Sequence, residues 1–68
     1  MRLVVNGKDT HMPEGISILE LLERLEIKVR EVGLAVAVNG EIVPKSRYKE
    51  YILKDGDSVE IVNIVGGG

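Results

Sequence analysis

The sequence predicts an α+β domain, with one main helix packed on one face of a mixed sheet of four to five strands. Three observations predict it. Ser58-Val59-Glu60-Ile61-Val62-Asn63-Ile64-Val65 is the strongest strand signal in the chain, dense in β-branched residues. Ile18, Leu21, Leu22 and Leu25 fall at i, i+3, i+4 and i+7, the single apolar stripe of one helix. Asn6-Gly7 and Asn39-Gly40 lie between apolar runs, where Asn-Gly marks a two-residue hairpin turn with positive φ at both positions.

Taken in order, Met1 to Val5 reads as a strand with Leu3 and Val5 on one face and Val4 on the other. After the Asn6-Gly7 turn, Lys8 to Met12 returns, with Thr10 and Met12 toward the core and His11 solvated on an edge. Pro13-Glu14-Gly15 breaks that strand. Ser17 then stands as a helix N-cap, Glu20 completes a capping box, and Ile16 and Leu21 are spaced for a hydrophobic staple across the cap. Glu20 and Arg24 face outward as an i, i+4 pair. The helix is expected to end near Ile27, with Lys28 to Gly33 a charged connection. Leu34 to Val38 is the third strand, and Glu41-Ile42-Val43 is a short strand stopped by Pro44. Ser46 to Tyr51 reads as irregular or a short helical turn, Leu53 as a core plug, and Lys54-Asp55-Gly56-Asp57 as the turn feeding the last strand.

One helix can cover one sheet face only if the first hairpin and the last strand share that sheet. The first and last strands then run parallel at its centre, with the helix in the crossover. The expected core is Leu3, Val5, Ile18, Leu21, Leu22, Leu25, Leu34, Val36, Val38, Leu53, Val59 and Ile61. With Tyr48 and Tyr51 the only aromatics, this core is aliphatic.

Sixty-eight residues make one small domain, able to bury only about 60% of its unfolded surface. A hydrophobic share of 44% argues against disorder. The absence of cysteine excludes disulfides, thiolate metal sites and a cysteine nucleophile on this chain. A single histidine, His11, leaves little for a metal or a general base. Nine basic against eleven acidic residues give a net charge of −2, so no basic nucleic-acid footprint is present. No apolar run approaches the ~20 residues of a membrane span. The opening residues carry no signal-peptide pattern. The expectation is a soluble cytoplasmic protein, without nucleic acid or membrane and monomeric alone.

Two features point beyond structure. Val65-Gly66-Gly67-Gly68 closes the sequence, directly after the best strand. Glycine lacks a Cβ, so such a run is the thinnest the chain can be. Four extended residues reach on the order of 13 Å, enough to carry a carboxylate into a partner's active site. The same residues could be a frayed end or a cloning scar. The expected division is 1–65 for the domain and 66–68 for a flexible tail. Second, strand alternation places Val4, Ala35, Ala37, Val62 and Ile64 on the outer sheet face, which turns polar at Arg2 and Glu60. An apolar patch beside the tail reads as a partner-binding surface, against scattered exposed aliphatics as the alternative.

In order and at this spacing, several short motifs resemble a known family over the whole chain. They are Val5-Asn6-Gly7, Pro13-Glu14-Gly15, Glu20-Leu21-Leu22, Ala37-Val38-Asn39-Gly40-Glu41-Ile42-Val43-Pro44, Leu53-Lys54-Asp55-Gly56-Asp57, Val59-Glu60-Ile61-Val62 and the final Val65-Gly66-Gly67-Gly68. The sequence resembles the ubiquitin-like β-grasp sulfur carriers, and within them the thiamine-biosynthesis carriers of the ThiS family. The resemblance implies a β-grasp fold and a carrier that is a substrate, with no catalytic residue, no resident cofactor and no metal.

It implies further that a ThiF-like adenylyltransferase uses ATP and magnesium to adenylate the Gly68 carboxylate, with Gly66 and Gly67 as the lead-in. Sulfur from a cysteine-desulfurase or rhodanese persulfide then gives a thiocarboxylate, which donates to a ThiG-like thiazole synthase. A carboxylate is a poor electrophile until its oxygen becomes a leaving group, so activation must precede sulfur transfer. The alternatives share the activated Gly68: the molybdopterin synthase small subunit (MoaD-like), a carrier for tRNA thiolation or cysteine synthesis, and a modifier joined to lysines. A β-grasp interaction module with an idle tail is the remaining reading.

Overall fold

The computed structural model describes residues 1–29 and 33–63. Its elements are β1 (Arg2–Val5), β2 (Lys8–His11), α1 (Ile18–Arg24), β3 (Leu34–Val38), β4 (Glu41–Val43), a 3₁₀ turn at Lys45–Arg47 and β5 (Ser58–Asn63). They form a five-stranded sheet in the order β2-β1-β5-β3-β4. The last strand is central: β5 runs parallel to β1, through Val4↔Ser58 and Val5↔Val59, and antiparallel to β3 from Val38↔Val59 to Leu34↔Asn63. One helix against a mixed sheet, with the terminal strands parallel at its centre, is the β-grasp arrangement expected above.

Local chemistry sets these elements. Asn6 and Gly7 adopt φ 49° and 82°, and Asn39 and Gly40 adopt φ 51° and 86°, so both hairpins close on turns that need the left-handed region twice. The capping box forms as expected: Glu20 N–H donates to Ser17 Oγ at 3.1 Å, and Ser17 N–H donates to Glu20 Oε1 at 3.1 Å. The staple residues Ile16 and Leu21 are both buried.

The helix is shorter than its sequence pattern predicts. It ends at Arg24, with Leu25 as C-cap and Glu26 at φ 60°. Ile27 N–H donates to Leu22 O and Glu26 N–H to Glu23 O, the paired bonds of a Schellman stop. A glutamate at the position usually held by glycine hides this stop from sequence reading.

The core lies between α1 and the inner sheet face, with Leu3, Ile18, Leu21, Leu22, Val36 and Val59 fully enclosed. Leu25 and Ile61, expected in the core, are only partly buried against it. Ile16, Val43 and Tyr48 join it, and Met12 is buried on the core side of the returning chain. Tyr48 follows from the docking of the 44–53 segment onto the helix N-terminus. Ile18 N–H donates to Tyr51 O and Leu19 N–H to Tyr48 O, both at 3.0 Å. With the capping box, every donor from the N-cap to the third helical residue has a partner. No buried side-chain polar atom lacks a partner among the described residues. No helix among them is long and apolar enough to cross a membrane.

Candidate functional site

The outer sheet face divides into two halves. On the β2 and β1 side it is polar: Arg2 Nε contacts Asp9 Oδ1 at 3.1 Å, and His11 lies opposite Arg2, exposed as expected. That ion pair is solvated and contributes little to stability. On the β5, β3 and β4 side the face is small and apolar. Ala35 pairs with Val62, Ala37 pairs with Glu60 across one ladder and with Ile42 across the other. These residues line a shallow depression of about 270 Å³.

Of the residues predicted for a partner-binding surface, Val4, Ala35 and Ala37 are half-buried on this face and Val62 is exposed among them. The structure therefore brings Ala35, Ala37 and Val62 together, with Val4 on the neighbouring strand across β5. Ile64, Gly66, Gly67 and Gly68, together with the 66–68 tail boundary, lie outside the described residues. Sequence reading missed Ile42, the most exposed large apolar side chain described, at 77%. Its signal was available: the Asn39-Gly40 turn fixes the register that puts Ile42 opposite Ala37.

The root of the tail-bearing strand is held by side chains as well as by the ladder. Asn39 Oδ1 accepts from Ser58 N–H at 3.0 Å, and Asn39 Nδ2 donates to Asp57 Oδ1 at 3.0 Å. Asp57 Oδ2 accepts from Lys54 N–H at 2.8 Å, which closes the turn into β5. On the other side, Asn6 Oδ1 accepts from Ile61 N–H at 2.7 Å. Each turn asparagine thus supplies a left-handed backbone and a clamp on β5. Among the described residues no group of three or more His, Asp or Glu side chains could hold a metal.

Comparison with known proteins agrees with this geometry. Residues 2–68 match the model of the ThiS family. The sulfur carrier protein ThiS of Escherichia coli K12 is 32% identical over 68 residues, covering all of both chains. A thiazole synthase of Paramagnetospirillum magneticum is 43% identical over the same 68 residues, and the chain spans only 20% of that protein's length. The crystal structure of the thiamine biosynthesis protein ThiS from Geobacter metallireducens superposes with a TM-score of 0.85 at 34% identity over the whole of both chains.

Proposed function

The chain belongs to the ThiS family, and from that premise we propose that it is a sulfur carrier of thiamine biosynthesis whose working group is the Gly68 carboxylate. The observation that carries this reading is the placement of β5. The central strand leads toward the Val65-Gly66-Gly67-Gly68 sequence, beside an apolar patch of Ala35, Ala37, Val62 and Ile42.

In this reading the patch, with Val4 on the neighbouring strand β1, docks on a ThiF-like adenylyltransferase in the cytoplasm, and Ile64 of the sequence that follows β5 joins that docking surface. A Gly68 carboxylate oxygen attacks the α-phosphorus of ATP and pyrophosphate leaves. ATP and magnesium belong to that enzyme, and the chain is its substrate and not a catalyst. A persulfide sulfur, from a cysteine desulfurase or rhodanese, attacks the acyl carbon and AMP leaves. A thiol then cleaves the acyl disulfide to free the thiocarboxylate. A ThiG-like synthase is the acceptor, a choice supported by the thiazole synthase that contains a segment similar to this chain. Gly66 and Gly67 suit the lead-in because glycine lets an enzyme's backbone approach closely.

The test is pyrophosphate release by the adenylyltransferase with ATP and magnesium. The full chain should support it and a chain lacking Gly67 and Gly68 should not. Equal release from both would remove Gly68 as the reacting residue.

A further inference from the structure

We propose that Arg47 and Lys54 form a basic flank of the docking face that receives carboxylate side chains of the partner protein; the proposal rests on the docking reading above. Between residues 45 and 54, Lys45, Arg47, Lys49 and Lys54 stand against Glu50 alone. Those ten residues carry +3 in a chain of net charge −2, which leaves −5 for the remainder. All five charged residues are exposed, because Tyr48 and Leu53 take the buried positions of the segment. Among the described residues, neither the Lys49 nor the Lys54 ammonium has a salt-bridge partner. Arg47 Nε lies 3.9 Å from Glu50 Oε1 with both side chains largely in solvent, and such a pair is worth little. The Arg47 guanidinium is therefore open to a bidentate carboxylate from outside the chain.

The flank is continuous with the apolar face. Ile42 walls the depression on that face and also a second one, of about 150 Å³, beside β4 and Pro44. Arg47 and Tyr51 are shared between this second depression and a third, of about 320 Å³, which Glu50, Ile52 and Lys54 complete. A surface that covers Ile42 at the sheet edge therefore meets Arg47 next and Lys54 beyond it. The matching partner is apolar where it covers Ala35, Ala37 and Val62, and acidic at the margin beside β4. A nucleic acid does not match, because a local +3 beside a remainder of −5 repels a long run of phosphates. Charges at such a margin act within a Debye length of about 8 Å at physiological salt. They orient the encounter, so they govern the association rate more than the dissociation rate.

The test is stopped-flow association of the full chain with the adenylyltransferase at low and at physiological salt. Arg47→Gln combined with Lys54→Gln is compared with Lys8→Gln combined with Arg24→Gln. The second pair removes the same charge from the opposite sheet edge and from the helix, and all four residues are exposed. For the Arg47 and Lys54 pair, kon at low salt should fall on the order of tenfold and its salt dependence should flatten. The Lys8 and Arg24 pair should lose about twofold or less. Val62→Asn changes no charge and should raise koff about tenfold, with the salt dependence of kon kept. Equal losses from the two charge pairs, or a wild-type kon without Arg47 and Lys54, would overturn the proposal while the Val62→Asn result still marks the docking face. A wild-type koff for Val62→Asn would remove the docking reading, and this flank with it.

Discussion

Val62 lies directly opposite Ala35 on the outer face of the sheet, and 47% of its surface remains in solvent. A methyl on the facing strand leaves room above it, and Ile42 rises from the next strand. A large side chain among small ones on an otherwise regular sheet is the pattern of a surface meant to be covered. Ile42→Asp and Val62→Asp are therefore expected to weaken binding to the adenylyltransferase by about tenfold or more each, the effect of losing an interface anchor. Their cost in stability should not exceed about 1 kcal/mol. Titration calorimetry with the partner and thermal melts of the free variants separate the two effects. Unchanged affinity for every partner would remove this face as the docking surface.

Ser17→Ala removes the buried hydroxyl that accepts from Glu20 N–H and leaves that part-buried donor without its partner. The expected cost is about 1–2 kcal/mol. For a domain of this size that corresponds to a fall in Tm of roughly 4–8 °C per kcal/mol. A melt indistinguishable from wild type would show that docking of the 44–53 segment alone holds the helix start.

Glu26→Gly should stabilise the chain by about 0.5–1 kcal/mol. Glu26 sits at φ 60° in the helix stop, a region that penalises a Cβ and that glycine enters freely. The greater freedom of glycine in the unfolded chain offsets part of the gain. Denaturant unfolding gives the sign, and destabilisation would mean that the glutamate side chain holds the stop by contacts of its own.

Much of this fold was legible because its signals are local. The Asn-Gly turns, the Ser17–Glu20 box and the alternation in β3 and β5 each declare themselves within a few residues, and together they imply the parallel pairing of the end strands. The misses share a different cause. Tyr48 sits in a segment without helical or strand period and is buried only because that segment docks on the helix N-terminus. The reach of Asn6 to Ile61 spans 55 residues of sequence, so it has no local signature. Ile42 was assigned to its strand, but its exposure depends on which strand ends at the sheet edge. At the site, the apolar face of Ala35, Ala37 and Val62 was legible from alternation, whereas Gly66, Gly67 and Gly68, read from composition, lie outside the described residues.

Burial pushes the Tyr48 phenol above its ordinary value of 10.0, opposed by a backbone hydrogen bond with Val36. A native-state value above the unfolded one means that the folded chain binds the proton more tightly between the two. The associated stability is then fully present below about pH 10 and is lost as pH rises through the folded value. Tyr48→Phe should cost about 1 kcal/mol at neutral pH through the lost hydrogen bond. It should also lose less stability than wild type on going to pH 11. Parallel alkaline slopes for the two proteins would contradict the assignment to Tyr48.

The central claim is that Gly68 carries sulfur. Intact-mass spectrometry after incubation with the adenylyltransferase, ATP, magnesium, a persulfide donor and a thiol tests it directly. The account predicts a gain equal to replacement of one oxygen by sulfur, localised to Gly68 by fragmentation and absent when ATP is omitted. An unchanged mass, with the same enzyme preparation active on an established carrier, would contradict it.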